Sequence, residues 1–434
     1  MFITSFSLYI ICCILVATII VKRSLQKIYL TPFMYVLVMQ LLLPFLFIYP
    51  FSYSPNNIEA VGLQWYSRYL SYINEALLVG SLGTLFFLLG FYLFSKRKTK
   101  YKGIFMKSVD GLANPIVLYL MGFTIFLFMF FMNDFQLFPN PKGVRNIVSS
   151  NGIFGPLYNL VVSSLPLLVG LVILRFQRHK NSLDLFMLII LVYAAFLTGS
   201  RTVLFSGVLF YIIAYFSLKQ HYLRNYLKLL VAGLLFIGVM IVLSLFRMGD
   251  LTAGTNIMDV IGNFLYGNTF SDFRDTAWVL AGIQDELLNG KTYISAIMSF
   301  VPSSFLNIRE IWSLGVITTT ATGLDSTTHP GLRPIIFGES YMNFGFIGMI
   351  LFSFVYGMII SYLDKLYINK LKSEESTFNK LYFLFLILFL TELSSNLMIT
   401  AGFFYVYVVM GLFLLGKIIK EIFGGKYSYE NNYN

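Results

Sequence analysis

Charged residues are scarce in this chain. Only 12% of its 434 residues are Asp, Glu, Lys or Arg, whereas 57% are hydrophobic, and the mean hydropathy is +0.76. A soluble domain carries about 25% charged residues, so the composition excludes a water-soluble globular protein. Cysteine is scarce too, because Cys12 and Cys13 are the only two and are adjacent in one apolar run. That placement excludes a disulfide framework and a cysteine-based zinc site.

The hydrophobic residues are gathered in runs of the length that a membrane-spanning helix needs, about 20 residues. Spanning β-strands would be shorter and would alternate apolar with polar residues, and runs such as 10–21 and 229–245 do not alternate. The sequence therefore predicts an all-α polytopic membrane protein with about eleven transmembrane helices. They are predicted near residues 2–21, 29–50, 73–94, 113–132, 156–174, 183–198, 202–218, 228–246, 335–363, 380–396 and 399–416.

The net charge of +11 is distributed in a way that indicates membrane orientation, not nucleic-acid binding. Most Lys and Arg residues lie in short clusters between apolar runs, and such clusters favour the cytoplasmic side. We therefore expect the N-terminus outside and the C-terminus in the cytoplasm. The predicted parts are helices one to eight in 1–246, a large extracytoplasmic loop in 247–334, helices nine to eleven in 335–416, and a cytoplasmic tail in 417–434.

Two local features of this plan can be predicted more closely. A single helix over 182–218 would be about 55 Å long, so the chain must turn at Thr198-Gly199-Ser200-Arg201, near the outer membrane surface. In the large loop, residues 272–289 have apolar residues on one helical face and precede Gly290, which is typical of a helix end. Residues 293–301 are apolar but too short to span, which favours the membrane interface.

Basic residues on the predicted outer side are mostly arginine, and guanidinium groups bind phosphate bidentately. The same side chains could instead reach the membrane surface or form ordinary ion pairs. Asp272 and Asp275 flank one of them on a shared helix face, which favours a salt-bridged surface over a metal site. We predict no metal and no cofactor. The candidate phosphate- or glycan-binding residues are Arg201, Arg247, Arg274, Arg309 and Arg333.

Glu339 and His329 are the candidates for proton transfer. Glu339 begins the predicted ninth span, where a carboxylate is costly unless it has a partner or a function. It could equally be a helix N-terminal acid that interacts with the helix dipole. His329 lies ten residues earlier in the outer loop, and a neutral imidazole can accept a proton from a hydroxyl. We expect the two side chains to lie close together.

Three segments resemble bacterial polysaccharide repeat-unit polymerases of the Wzy type and, more distantly, O-antigen ligases. They are the Gly-Ser-Arg turn in 197–202, the proline-containing stretch in 300–306, and the acid followed by an aromatic residue and spaced glycines in 338–348. The ligase pattern of a histidine, an acid and two glycines maps onto His329, Glu339, Gly345 and Gly348. Pro330 stands where the ligase pattern has asparagine after that histidine.

The resemblance implies a GT-C-like fold in the bacterial cytoplasmic (inner) membrane. It implies transfer of a growing glycan from undecaprenyl pyrophosphate to a lipid-linked oligosaccharide repeat unit on the outer face. The implied reaction is independent of metal and inverts the anomeric centre. The implied partners are undecaprenyl-pyrophosphate-linked oligosaccharides, the lipid bilayer, a chain-length regulator and a flippase, with no nucleic acid. Two alternatives stay open, namely an O-antigen ligase-type transferase and a non-enzymatic lipid-linked oligosaccharide flippase or transporter.

Overall fold

The structure of the chain, a computed structural model, describes residues 2–25, 30–46, 63–96, 114–140, 143–144, 147–148, 154–219, 228, 231, 238, 272–284, 286–301, 305, 307–324 and 331–423. The secondary structure of these residues is helical, without a strand. The helices are α1 Phe2–Leu25, α2 Pro32–Val36, α3 Leu43–Leu46, α4 Leu63–Ser95, α5 Pro115–Met132, α6 Phe154–His179, α7 Ser182–Leu197, α8 Arg201–Ser217, α9 Asp272–Ile283, α10 Lys291–Ile297, α11 Ile308–Trp312, α12 Leu314–Thr322, α13 Gly338–Lys372, α14 Thr377–Ser395 and α15 Phe404–Phe423.

Seven helical segments among the described residues are long and apolar enough to cross a membrane. They correspond to α1, α4, α5, α6, α13, α14, and α15 with the turn before it. The prediction of an all-α, multi-pass membrane protein is thereby confirmed. Three further apolar helices, Pro32–Leu42, Ser182–Leu197 and Phe205–Ser217, are shorter. The predicted span 228–246 lies outside the described residues apart from three positions, so the number eleven stays a prediction.

The chain divides into two compact units. The first contains Met1–Thr99, Asn256–Ile368 and Leu390–Phe404, and the second contains Lys100–Thr255, Asn369–Phe389 and Tyr405–Asn434. All described helices of the large loop therefore belong to the first unit, together with α1 to α4 and most of α13.

Glycines bring two long helices of the first unit into backbone contact. A methyl group on Gly90 of α4 would lie 2.1 Å from the carbonyl oxygen of Phe354 in α13, and one on Gly357 would lie 2.1 Å from that of Phe87. Small residues at such crossings allow membrane helices to approach closely. A larger side chain at either position would force α4 and α13 apart.

The loop helices pack directly against this pair. The ring of Phe273 in α9 lies against Gly80 of α4, and Gly282 of α9 faces the carbonyl oxygen of Ala321 in α12. Helix α9 ends at Ile283, earlier than the predicted residue 289, because Gln284 has a left-handed backbone with φ of 54°. The predicted apolar segment 293–301 is the short helix α10 followed by one 3-10 turn, Met298–Phe300.

Helix α13 is broken near its start. Gly345 has φ of 65° and ψ of −158°, a region that only glycine adopts readily. Because of the break, the carbonyl groups just before it do not accept hydrogen bonds from the next turn of the helix. They accept hydrogen bonds from backbone N–H groups of the loop instead. Leu288 donates to Met342 (2.9 Å) and Asn289 donates to Asn343 (3.0 Å). The first two turns of α13 are therefore attached to the loop.

In the second unit, α6 packs against α7 and α8. Helix α7 ends at Leu197 and α8 begins at Arg201, as the sequence predicted, with Gly199 at φ of 63° in the turn between them. Asp184 is fully buried in this unit, where its Oδ1 accepts hydrogen bonds from Tyr119 (2.5 Å) and Arg175 (2.7 Å).

Candidate functional site

The candidate residues of the first unit lie where the loop helices meet the beginning of α13. Within α9, Arg274 donates through Nη2 (2.9 Å) and Nε (3.0 Å) to Oδ1 of Asp275, and both side chains are buried. The guanidinium also lies 5.0 Å from the ring centre of Trp278, a cation–π arrangement. The predicted ion pairing of Arg274 with a flanking acid is thereby confirmed for Asp275, but the pair is buried and does not form a surface.

Arg333 forms the second ion pair of this region. Its Nη2 (2.8 Å) and Nε (2.9 Å) donate to Oδ1 of Asp272, at the first turn of α9. The Arg333 side chain is nevertheless 56% exposed, whereas that of Asp272 is 14% exposed. Burial raises the pKa of the Asp272 carboxyl above its ordinary value, although Arg333 opposes the shift. The pKa of Arg333 is raised, because Asp272 stabilises its charge, with smaller contributions from Asp275 and Glu392.

Hydrogen bonds on both sides hold the segment that carries Arg333. The backbone N–H of Leu332 donates to Thr318 of α12 (3.0 Å), and that of Ile335 donates to Thr276 of α9 (2.8 Å). The Arg333 side chain thus extends from a fixed backbone, with the Nε–Nη2 edge of its guanidinium against Asp272 and more than half of the side-chain surface exposed. An exposed arginine side chain on a fixed backbone is suited to binding a phosphate oxygen.

Arg309 has a different environment. It lies in the short helix α11, and its Nη1 donates to the backbone carbonyl of Ser299 (3.2 Å). Among the residues that the structure describes, no carboxylate lies within ion-pairing distance of this guanidinium. Its positive charge is therefore not neutralised by an ion pair within that part of the chain.

Glu339 is completely buried, and its carboxylate is occupied. Oε2 accepts a hydrogen bond from the backbone N–H of Thr400 (2.7 Å), and Oε1 accepts one from the Thr400 hydroxyl (2.5 Å). These bonds attach the start of α13 to the 3-10 turn Thr400–Gly402. The geometry is that of a residue that joins two elements, and the proposed role of Glu339 in proton transfer stays a prediction.

Two buried polar atoms near Glu339 have no partner among the described residues. They are the hydroxyl of Tyr293 and Oδ1 of Asn343. The amide Nδ2 of Asn343 is satisfied, since it donates to Thr292 (2.7 Å) and to the carbonyl of Glu339 (2.9 Å). Burial, followed by the charge of Glu339, raises the pKa of Tyr293.

The remaining candidates are Arg201, Arg247 and His329. Arg201 begins α8 in the second unit, and Ser200 caps that helix by accepting a hydrogen bond from Val203 N–H (3.5 Å). His329 and Arg247 lie outside the described residues. The expected proximity of His329 and Glu339 therefore stays a prediction.

Three carboxylates inside predicted spans were missed in the sequence, and Asp184 of α7, described above, is one of them. Glu75 of α4 accepts a hydrogen bond from the Tyr341 hydroxyl. Glu392 of α14 accepts one from the Tyr35 hydroxyl (2.8 Å). The sequence contains a signal for these carboxylates, because an acid inside an apolar run is rare and marks a candidate site. The acids named from the sequence were those of the loops and of the start of the ninth span.

Comparison with known proteins does not assign a family or a function to the chain. No protein-family model matches the chain, and neither a curated protein nor a solved structure is significantly similar to it.

Proposed function

We propose that this chain is a membrane glycosyltransferase that polymerises oligosaccharide repeat units. It transfers a growing glycan from undecaprenyl pyrophosphate to a lipid-linked repeat unit on the outer face of the bacterial cytoplasmic membrane. The proposal includes about eleven spans, a GT-C-like arrangement, an external N-terminus and a cytoplasmic C-terminus. The chemistry needs a group that stabilises a departing pyrophosphate and a group that accepts the proton of a sugar hydroxyl.

One observation carries the proposal, namely the partly exposed side chain of Arg333. It is held by Asp272 and by a segment bonded to α9 and α12, at the point where the loop meets a membrane-spanning helix. Negative charge develops on the pyrophosphate as it leaves, and a preorganised cation beside it lowers the barrier. The other predicted ligands of the anion are Arg201, Arg247, Arg274 and Arg309.

The test is transfer by the purified protein with undecaprenyl-pyrophosphate-linked repeat units. Arg333→Ala should lower kcat by roughly 10²-fold, the scale of losing one charge-stabilising group. Arg333→Lys keeps the charge but loses the planar fork, so its rate should lie between those of Ala and wild type. Arg178→Lys is the matched control, since Arg178 lies in the last turn of α6, in a basic cluster of the predicted cytoplasmic side, and it should keep the wild-type rate. A wild-type rate in both Arg333 variants would contradict the role of this guanidinium.

Two features favour a flippase as the second candidate. Broken membrane helices and carboxylates within spans are common in transporters, and the chain has the break at Gly345 and the carboxylate of Glu392. A flippase would move lipid-linked units across vesicles without joining them. Formation of a new glycosidic bond by the purified protein distinguishes the two functions.

A further inference from the structure

Glu392 occupies an unfavourable place for a charged side chain. It lies in the last turn of α14, Thr377–Ser395, one of the candidate spans. A carboxylate inside a span is costly, and ionisable residues there are candidates for function by default. The C-terminal end of a helix also carries a partial negative charge, which adds to the cost. Such a placement requires partners that offset both effects.

The structure supplies these partners from α2 and the π-helical turn that follows it. Tyr35 donates a hydrogen bond to Oε2 of Glu392 (2.8 Å). Gln40 lies in the π turn Leu37–Leu42, and its Oε1 accepts a hydrogen bond from Tyr356 (2.7 Å). With that oxygen engaged, the amide N–H groups of Gln40 are left for the neighbouring carboxylate. π turns within helices occur frequently at functional sites.

Arg333 connects this carboxylate to the candidate site. Its charge interacts with that of Glu392 as well as with Asp272 and Asp275, so acids of α9 and α14 lie within electrostatic range of the same guanidinium. The Glu392 side chain is half-buried, whereas Glu339 is sealed by Thr400. Of these two residues, Glu392 is the one with exposed surface.

We propose that Glu392 accepts the proton of the attacking sugar hydroxyl, with Tyr35 and Gln40 as positioning residues. This inference rests on the proposed function. The hydroxyl oxygen of the acceptor forms a bond to the anomeric carbon of the donor glycan while the bond from that carbon to the phosphate oxygen breaks. The proton passes to the Glu392 carboxylate, and the electron pair leaves with the pyrophosphate beside Arg333. No oxidant, reductant or further reactant is needed.

The contrasting explanation is structural. Glu392 would then serve only as an acceptor that links α14 to α2 through Tyr35. Glu392→Gln separates the explanations, because glutamine keeps an oxygen acceptor for Tyr35 but is not a base. A structural role predicts a change in thermal stability with an unchanged rate per folded molecule. A role as base predicts a lower rate per folded molecule with unchanged thermal stability.

The experiment measures kcat, KM and thermal unfolding of purified protein with undecaprenyl-pyrophosphate-linked repeat units. Glu392→Gln should lower kcat by at least about 10²-fold, the lower limit for general-base catalysis, with KM within a few-fold of wild type. Tyr35→Phe removes only the positioning hydroxyl and should lower kcat by a smaller factor. The matched control is Glu286→Gln, which removes one exposed loop carboxylate and should keep the wild-type kcat.

The outcomes separate the inference from the proposed function. If wild type joins repeat units and Glu392→Gln does so at a similar kcat, the inference is overturned and the polymerase proposal stands. If wild type joins no repeat units, the proposed function is wrong, and the inference that rests on it is wrong as well. Should Glu392→Gln not fold, Glu392→Asp decides the question, because it keeps a base but moves it. A wild-type kcat in Glu392→Asp would overturn the inference, and a reduced kcat with unchanged KM would support it.

Discussion

At the residue scale, two of the five candidate arginines form ion pairs in the described part of the chain. The one-residue spacing of Arg274 and Asp275 allowed an ion pair, and the structure shows it buried. The pairing of Arg333 with Asp272 joins positions far apart in the chain, so no local pattern could predict it. Tertiary packing decides which arginine remains exposed. Exposure distinguishes Arg333 from the buried Arg274.

Arg201 provides a prediction at the same scale. It begins α8 directly after the capping residue Ser200. If its guanidinium grips pyrophosphate bidentately, Arg201→Lys should lose most activity although the charge is kept, because the planar fork is lost. If it only anchors the helix end, lysine should serve nearly as well. Polymer length in cells at a matched protein level measures the difference, and full-length polymer in the lysine variant would refute the phosphate role.

Glu339 illustrates what sequence reasoning can and cannot establish. Its cost at a membrane helix end correctly indicated that it needs a partner. The identity of that partner, Thr400, depends on a turn some sixty positions away, and no spacing rule connects the two. Glu392 and its partner Tyr35 are even farther apart in sequence.

At the element scale, helix type and the position of the turn before α8 followed from the sequence. Apolar runs of spanning length gave the long helices, and the excess length of 182–218 required the turn. The π turn at Leu37–Leu42 and the break at Gly345 were not predicted. The break at Gly345 replaces ordinary helical hydrogen bonds with bonds from the loop, and the π turn replaces them with i→i+5 bonds within the helix. Hydrophobic periodicity carries no signal for either feature.

The break in α13 gives a second prediction. Gly345→Ala should destabilise the protein by about 1–3 kcal/mol, the cost of a backbone conformation that side chains rarely adopt. Space is not the cause, since a Cβ at Gly345 would meet only Leu287, at 3.9 Å. The measurement is thermal unfolding in detergent, with Gly411→Ala as the control because nothing lies within 4 Å of its Cβ position. Equal stability of both variants would contradict a strained, glycine-dependent break.

At the scale of the whole molecule, composition was sufficient for the class of protein but not for its topology. Scarce charge and long apolar runs required a membrane protein, and seven candidate spans are found in the described residues. Most of 228–246 and all of 247–271 lie outside them. The orientation rests on the distribution of basic residues.

Labelling of single cysteines tests that orientation. In a variant without Cys12 and Cys13, new cysteines at Asn151 and Gly290 should react with an impermeant thiol reagent from outside. Cysteines within 96–107 and at Glu374 should react only after the membrane is opened, because these positions lie in or near basic clusters. Labelling from outside near residue 100 would contradict the whole arrangement.

The most direct measurement of the central claim is product analysis with the purified protein and undecaprenyl-pyrophosphate-linked repeat units as the sole substrate. We expect a ladder of glycans that differ by one repeat unit, with one undecaprenyl pyrophosphate released for each bond formed. Movement of repeat units across a vesicle membrane without any new glycosidic bond, by protein that is folded and correctly inserted, would contradict the account.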